Sequence, residues 1–325
     1  MCVVGVKKKK LRSSRPDSPN ESRIVNRRSS DALGRCFASR LRGAGPFAYI
    51  NLGVGFVAAL AKTPEGVQMQ EQFVEIKTAE GVMEAFVTHP EENGPFPAVI
   101  IYMDIWGVRE ELYDIARRVG TVGYYCMVPD LYYRNGKRVH FEFRNANNQT
   151  ISIDRLAGQT LLEIQARPKL SNQMVIDDTG AILKFLDSAE WVRRGGVGAI
   201  GFCMGGRYVM GAAGTYPEHF VASASLHGTT LISDRDDSPH LLAANLRGEF
   251  YCGFAEHDSH APLPMVQELE KILKPCRVRY RYTVHPRTEH GYSLPDRDVH
   301  DKRATARDWE LIFAMLHRQL PPYTA

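Results

Sequence analysis

The chain has 325 residues, 44% of them hydrophobic and 24% charged, the balance of a globular protein able to bury a sizeable core. Its six cysteines, Cys2, Cys36, Cys126, Cys203, Cys252 and Cys276, show neither a Cys-x-x-Cys pair nor a framework spacing. That argues against a zinc ribbon or a disulfide scaffold and for a reducing, cytoplasmic setting. The net charge of +4 is uneven: residues 1–50 carry twelve Lys/Arg against three Asp/Glu, or +9, which leaves −5 on residues 51–325.

The front of the chain is a different kind of sequence. A lysine run at residues 7–10, repeated Arg-Ser pairs and few large apolar residues predict a segment that cannot bury enough surface to order itself. It suits a nucleic-acid arm, a transit peptide, a secretory leader with its apolar part at Phe47–Ala61, or sequence ahead of a working start at Met69. The Phe47–Ala61 stretch is too short and glycine-rich to span a membrane, and no aromatic residue precedes Phe37 to stack on bases. Neither a membrane nor a nucleic acid is therefore expected as partner. The division is a leader, residues 1–68, and one domain, residues 69–325.

From Gln72 the pattern is regular. Phe73–Ile76 and Val82–Val87 predict an antiparallel hairpin, and Phe96–Tyr102 is the almost continuous apolar run of a strand covered on both faces. A helix follows, with Val108, Leu112, Ile115 and Val119 on one side, and then a strand at Tyr124–Val128. Residues 134–172 are polar and irregular, with a possible helix at Ser152–Ala166, and suit a lid. A helix through Val175, Thr179, Ile182 and Leu186 leads to the strand from Val197. Further strands are expected at Phe220–Leu226, Gly248–Gly253 and Arg277–Val284, and helices at residues 263–273 and 304–320. Alternating strands and helices imply an α/β fold with a mostly parallel sheet, helices on both faces and the hairpin at its N-terminal edge.

The strand from Val197 breaks at Gly201-Phe-Cys-Met-Gly-Gly206, which reads as a nucleophile elbow, a strained turn holding Cys203 above the sheet. A buried structural cysteine is the alternative. In open α/β sheets ligands sit beyond the carboxyl ends of the strands. There stand Ala255-Glu-His-Asp-Ser-His260 and His285-Pro-Arg-Thr-Glu-His290, so the order of nucleophile, acid and histidine matches an α/β-hydrolase triad of Cys203, Asp258 and His290. A thiol needs a histidine to take its proton, and that histidine needs a carboxylate to fix its tautomer. Glu256 is a second candidate acid and His285 a second histidine. The cluster Glu256, His257, Asp258 and His260 lacks zinc-site spacing, so no metal is expected.

Together with Asp104-Ile-Trp-Gly-Val108, Pro129-Asp-Leu-Tyr-Tyr-Arg134 and His290-Gly-Tyr292, these residues resemble the dienelactone hydrolase family over most of residues 71–320. The resemblance implies a Cys-His-Asp α/β-hydrolase without cofactor, with the backbone N–H groups of Ile105 and Met204 as oxyanion hole. It places Asp104 beside the thiol, where its charge would keep Cys203 protonated, and Arg134 as one of two arginines that hold a substrate carboxylate. Leu294 stands where the second arginine belongs, and Leu226-His227 replaces an aromatic pair. The expectation is a monomeric hydrolase of a small lactone or activated ester, anionic or neutral, by way of an acyl-thioenzyme. A general carboxylesterase or thioesterase is the alternative, and a redox-sensing thiol protein that hydrolyses nothing is another.

Overall fold

The computed structural model describes residues 68–156 and 170–322; the expectations for residues 1–67, and for the helix beyond Leu156, lie outside them. Two ten-residue strands, β1 (Met69–Thr78) and β2 (Gly81–Pro90), pair antiparallel across a turn at Ala79-Glu80. β1 is an edge strand, and its polar, mostly exposed residues guard the edge against further pairing. β3 (Ala98–Tyr102), β4 (Tyr125–Pro129) and β5 (Val197–Phe202) are buried at every position, as their unbroken apolar sequences require. β6 (Phe220–Leu226), β7 (Glu249–His257) and β8 (Arg279–Glu289) complete an eight-stranded sheet of order β1-β2-β4-β3-β5-β6-β7-β8. β2 meets β4 antiparallel, and every pairing from β4 to β8 is parallel.

Helices cover both faces. α1 (Glu110–Gly120) and the last helix, α5 (Lys302–Gln319), share one, where the Arg118 guanidinium lies 4.7 Å from the Trp309 ring centroid. α2 (Asn172–Ser188) and α3 (Met204–Thr215) pack on the other, and α4 (Leu263–Leu273) lies between β7 and β8 in the chain. Alternation along β5 shows the two sides: a Cβ on Gly198 would touch Leu316 of α5, and one on Gly201 would meet the backbone of α3.

Two expectations change. β7 and β8 run to His257 and Glu289, several residues past the apolar stretches that announced them, because Ala255 pairs with His285 and His257 with Glu289 in the ladder. At Ser152 there is no α-helix among the described residues, only a short 3-10 turn at Ile153–Arg155. No described helix is long and apolar enough to cross a membrane.

Candidate active site

β5 ends at Phe202 and α3 begins at Met204, so Cys203 alone makes the turn, with φ 54° and ψ −118°. A non-glycine residue pays for such a backbone. The turn closes because a Cβ on Gly201 would strike the carbonyl of Gly205, and one on Gly205 the carbonyl of Tyr102. The Cys203 N–H donates to Leu226 O at 3.1 Å, and its carbonyl accepts from Gly206 and Thr229, so the strain is held from both sides. Cys203 is 8% exposed.

Asp258 and His290 each come one residue after the end of a strand, β7 and β8, which are parallel neighbours. They reach the same edge as the elbow. His290 Nδ1 stands 2.8 Å from Asp258 Oδ2, and Asp258 Oδ1 accepts the N–H groups of His260 and Ala261 at 2.8 and 3.1 Å. Burial would raise the Asp258 pKa, but its bond to His290 and these N–H groups outweigh it and lower the pKa. An ionised Asp258 is acceptor only, so Nδ1 carries the proton and Nε2 is left for the thiol. Burial also opposes charge on His290; the Cys203 sulfur and Asp258 overcome it and push His290 up to about 10. Nε2 makes no hydrogen bond of full geometry among the described residues, and it opens on the cavity that Cys203 lines.

That cavity has a volume of about 10 Å3, room for about one water molecule. Ile105, Trp106 and Ile153 form its apolar wall, and His227 and Arg297 its polar wall. Wider hollows of about 380 Å3 beside Arg118 and Trp309, and of about 630 Å3 beside Lys184 and Tyr216, are lined by no cysteine. Size does not locate the chemistry. The backbone N–H groups of Ile105 and Met204 donate to no protein group among the described residues. Tyr132 links their two loops, its hydroxyl donating to Ile105 O at 3.0 Å and to Met204 Sδ at 3.7 Å.

One residue stands where the resemblance implies but with other partners, and one is placed elsewhere. Asp104 lines the cavity, but its fully buried carboxylate is already taken. Oδ1 accepts from Trp106 N–H at 3.0 Å and Arg109 at 2.8 Å, and Oδ2 from Arg109 at 3.1 Å and from Arg297. Its charge is compensated and its oxygens are spoken for, so it shapes the loop that carries Ile105 and accepts nothing from the thiol. Arg134 does not line the cavity. Its guanidinium grips buried Asp178 with two bonds of 2.8 and 2.9 Å, bonds Glu80, and stacks 4.4 Å from the Tyr133 ring centroid. Three of its five N–H donors are held by these carboxylates, away from the cavity.

Other candidates also have settled partners. Glu256 accepts the Arg287 N–H at 2.7 Å, and buried His285 stands 2.7 Å from Asp308. Arg297 and Arg109 escaped the sequence reading. The available signal for Arg297 was an arginine in the loop after His290, sought at position 294, where Leu294 is instead fully buried in the core.

Comparison with known proteins gives the family. A model of the dienelactone hydrolase family matches residues 83–320. A protein of Synechocystis sp. named "Putative carboxymethylenebutenolidase" is 24% identical over 242 residues, covering 72% of this chain and 91% of that one. A crystal structure titled as a "Putative Dienelactone Hydrolase" from Klebsiella pneumoniae superposes with TM-score 0.65 at 21% identity, covering 77% of this chain and 99% of that one. The dienelactone hydrolase-like promiscuous phosphotriesterase P91, from metagenomic libraries, gives 0.61 at 18% identity, with 78% and 99% covered. The family match spans β2 to α5 and takes in the elbow, both strand ends and the loop of Asp104, so the chain belongs to the dienelactone hydrolase family.

Proposed function

We propose that this hydrolase opens a lactone or cleaves another activated carboxylic ester through a thioester on Cys203, with His290 as acid and base and Asp258 as its orienting partner. The observation that carries the reading is the 2.8 Å contact of His290 Nδ1 with Asp258, which leaves Nε2 in the cavity shared with Cys203. The relatives' name, carboxymethylenebutenolidase, supports a lactone as the ester.

With its proton on His290, Cys203 Sγ attacks the carbonyl carbon, and the carbonyl π electrons move to oxygen. The oxyanion would accept the two free N–H groups of Ile105 and Met204, donors already in place as charge develops. As the intermediate collapses, the C–O bond breaks and the leaving oxygen takes the proton from Nε2. In a lactone that oxygen stays on the acyl chain as a hydroxyl. Water then gives a proton to Nε2 and its oxygen to the thioester, and collapse of the second intermediate frees the carboxylic acid and Cys203. A general carboxylesterase or thioesterase would use the same atoms.

A panel of para-nitrophenyl esters, thioesters and lactones tests the reading on wild type beside Cys203→Ala. Turnover should fall by about 10⁴-fold or more in the variant, as when a triad nucleophile is removed. Wild-type rates in Cys203→Ala, with the circular dichroism of a folded protein, would overturn it.

A further inference from the structure

We propose that the acyl pocket admits an uncharged acyl group, and that His227 is the specificity-determining residue that gives this pocket a neutral hydrogen-bonding wall; the proposal deepens the ester-hydrolase reading and rests on it. His227 follows β6 with φ 38°, is completely buried, and lines the cavity beside Cys203. Its ring centroid lies 5.0 Å from that of His290, and its Nε2 is 2.9 Å from Ser293 Oγ. Its Nδ1 is buried with no hydrogen-bond partner among the described residues. Burial, and then the charges of His290 and Arg297, hold the His227 pKa well below the ordinary histidine range, so the ring is neutral. One nitrogen is satisfied by Ser293 and the other has a single bond to offer. A buried polar atom left unpaired is costly, so a bound group that pairs with Nδ1 gains what one without a partner forfeits.

The charges around the cavity point the same way. Arg297 is the guanidinium in the wall, and Asp104 takes its charge. Arg109 is bound to the same Asp104, and Asp296 lies within 3.8 Å of Arg109 and 3.9 Å of Arg297. Asp104, Asp258 and Asp296 thus face two guanidiniums. Glu111 stands outside this count as a neutral group; burial pushes its carboxyl up to about 8, so it keeps its proton at neutral pH. With His290 counted as a cation, since its pKa is pushed up to about 10, three cations face three carboxylates. Around the mouth, Asp154, Glu289 and Asp298 stand against Arg155 and His260. A substrate carboxylate would lose its hydration on entry and meet no surplus positive charge, while Arg134, the expected clamp, is bound to Asp178.

Four esters test this: para-nitrophenyl butyrate and β-hydroxypropionate, matched in size, and mono-para-nitrophenyl succinate beside para-nitrophenyl 4-methylpentanoate, its neutral match in size, each rate divided by that of hydroxide-catalysed hydrolysis. At neutral pH kcat/KM should favour 4-methylpentanoate over succinate by roughly tenfold or more, and β-hydroxypropionate over butyrate by roughly tenfold. A hydroxyl can donate or accept, so it serves either tautomer of His227. In His227→Phe the hydroxyl advantage should vanish while the preference against succinate stays. A wild type that prefers succinate, or a hydroxyl advantage that is absent or survives in His227→Phe, would overturn the proposal. Protection of wild-type Cys203 from iodoacetamide needs neither turnover nor a folded variant, and β-hydroxypropionamide should protect best, butyramide next and succinamate least. If no ester is hydrolysed, the enzymatic reading fails, and the order of protection still decides this one.

Discussion

Asp258→Asn keeps the shape of the site and reverses one hydrogen bond. Asp258 Oδ1 accepts two backbone N–H groups, from His260 and Ala261, so the amide oxygen must take that position. The amide NH2 then faces His290 Nδ1, which stands 2.8 Å from Oδ2 in the wild type. Donor would meet donor, so the imidazole must move its proton to Nε2, and the nitrogen on the Cys203 side becomes a donor in place of an acceptor. The variant also loses the carboxylate that helps to hold His290 at about 10. A hydrogen bond to a charged group is worth about 1.5–3 kcal/mol, and a wrong tautomer costs a similar amount. The sum of about 3–6 kcal/mol corresponds to a loss in kcat of roughly a hundred- to a few ten-thousand-fold. Stopped-flow release of para-nitrophenol from the acetate ester separates acylation from deacylation, and both should slow because both route a proton through Nε2. A kcat within threefold of wild type would refute the tautomer argument. So would a loss that coincides with unfolding in a thermal melt, since the asparagine retains the backbone bonds.

What could be read from the sequence was what short-range patterns encode. β3, β4 and β5 announce themselves because burial on both faces demands unbroken apolar runs, and the elbow because crossing backbones demand Gly201 and Gly205. Asp258 and His290 became candidates because each lies in a polar stretch beyond an apolar strand run, in the chain order of nucleophile, acid and histidine. The ends of β7 and β8 were hidden because Glu256, His257 and Arg287 look like loop residues, and only the neighbouring strand shows that they are paired. Side-chain partners were harder still. Arg297 reaches Asp104 across 193 positions, and Arg134 reaches Asp178 across 44, and no local periodicity records which carboxylate a guanidinium will meet. Arg134 shows the consequence: its motif fits the family, and its partner decides its role.

Because Asp178 is buried beneath it, Arg134→Ala should lower stability by about 1–3 kcal/mol, less than for a fully buried pair because Arg134 is partly exposed. It should change kcat/KM for anionic and neutral esters alike, and a selective loss on anionic esters would restore Arg134 as a substrate clamp. For Glu111, held at about 8 against an ordinary 4.5, the native state keeps a proton that the unfolded chain releases, so wild-type stability falls as pH rises from about 4.5 to about 8. Glu111→Gln should flatten this slope and be most stabilised relative to wild type above pH 8, by about 1–3 kcal/mol since the lowered pKa of Asp296 offsets part; parallel profiles from urea titrations would refute it. The last prediction concerns entry. Ester-binding clefts are typically about 300–1,000 Å3, and the cavity beside Cys203 is about 10 Å3, so the substrate must displace part of its wall. The wall with the weakest hold is the segment around Ile153. It is tied by the Ser152 N–H to Asp298 at 2.8 Å, by Arg155 to Glu289 at 2.9 Å and by His260 to Asp154 at 2.8 Å. An exposed ion pair such as Arg155 with Glu289 contributes about 0–1 kcal/mol and a hydrogen bond about 1 kcal/mol, so the main resistance is the packing of Ile153 with Trp106. Ile153→Ala should therefore lower KM for the bulky para-nitrophenyl benzoate severalfold, leave KM for the acetate within twofold, and spare kcat for both. Equal shifts in KM for the two esters would mean that substrate enters by another side, and that Ile153 only packs.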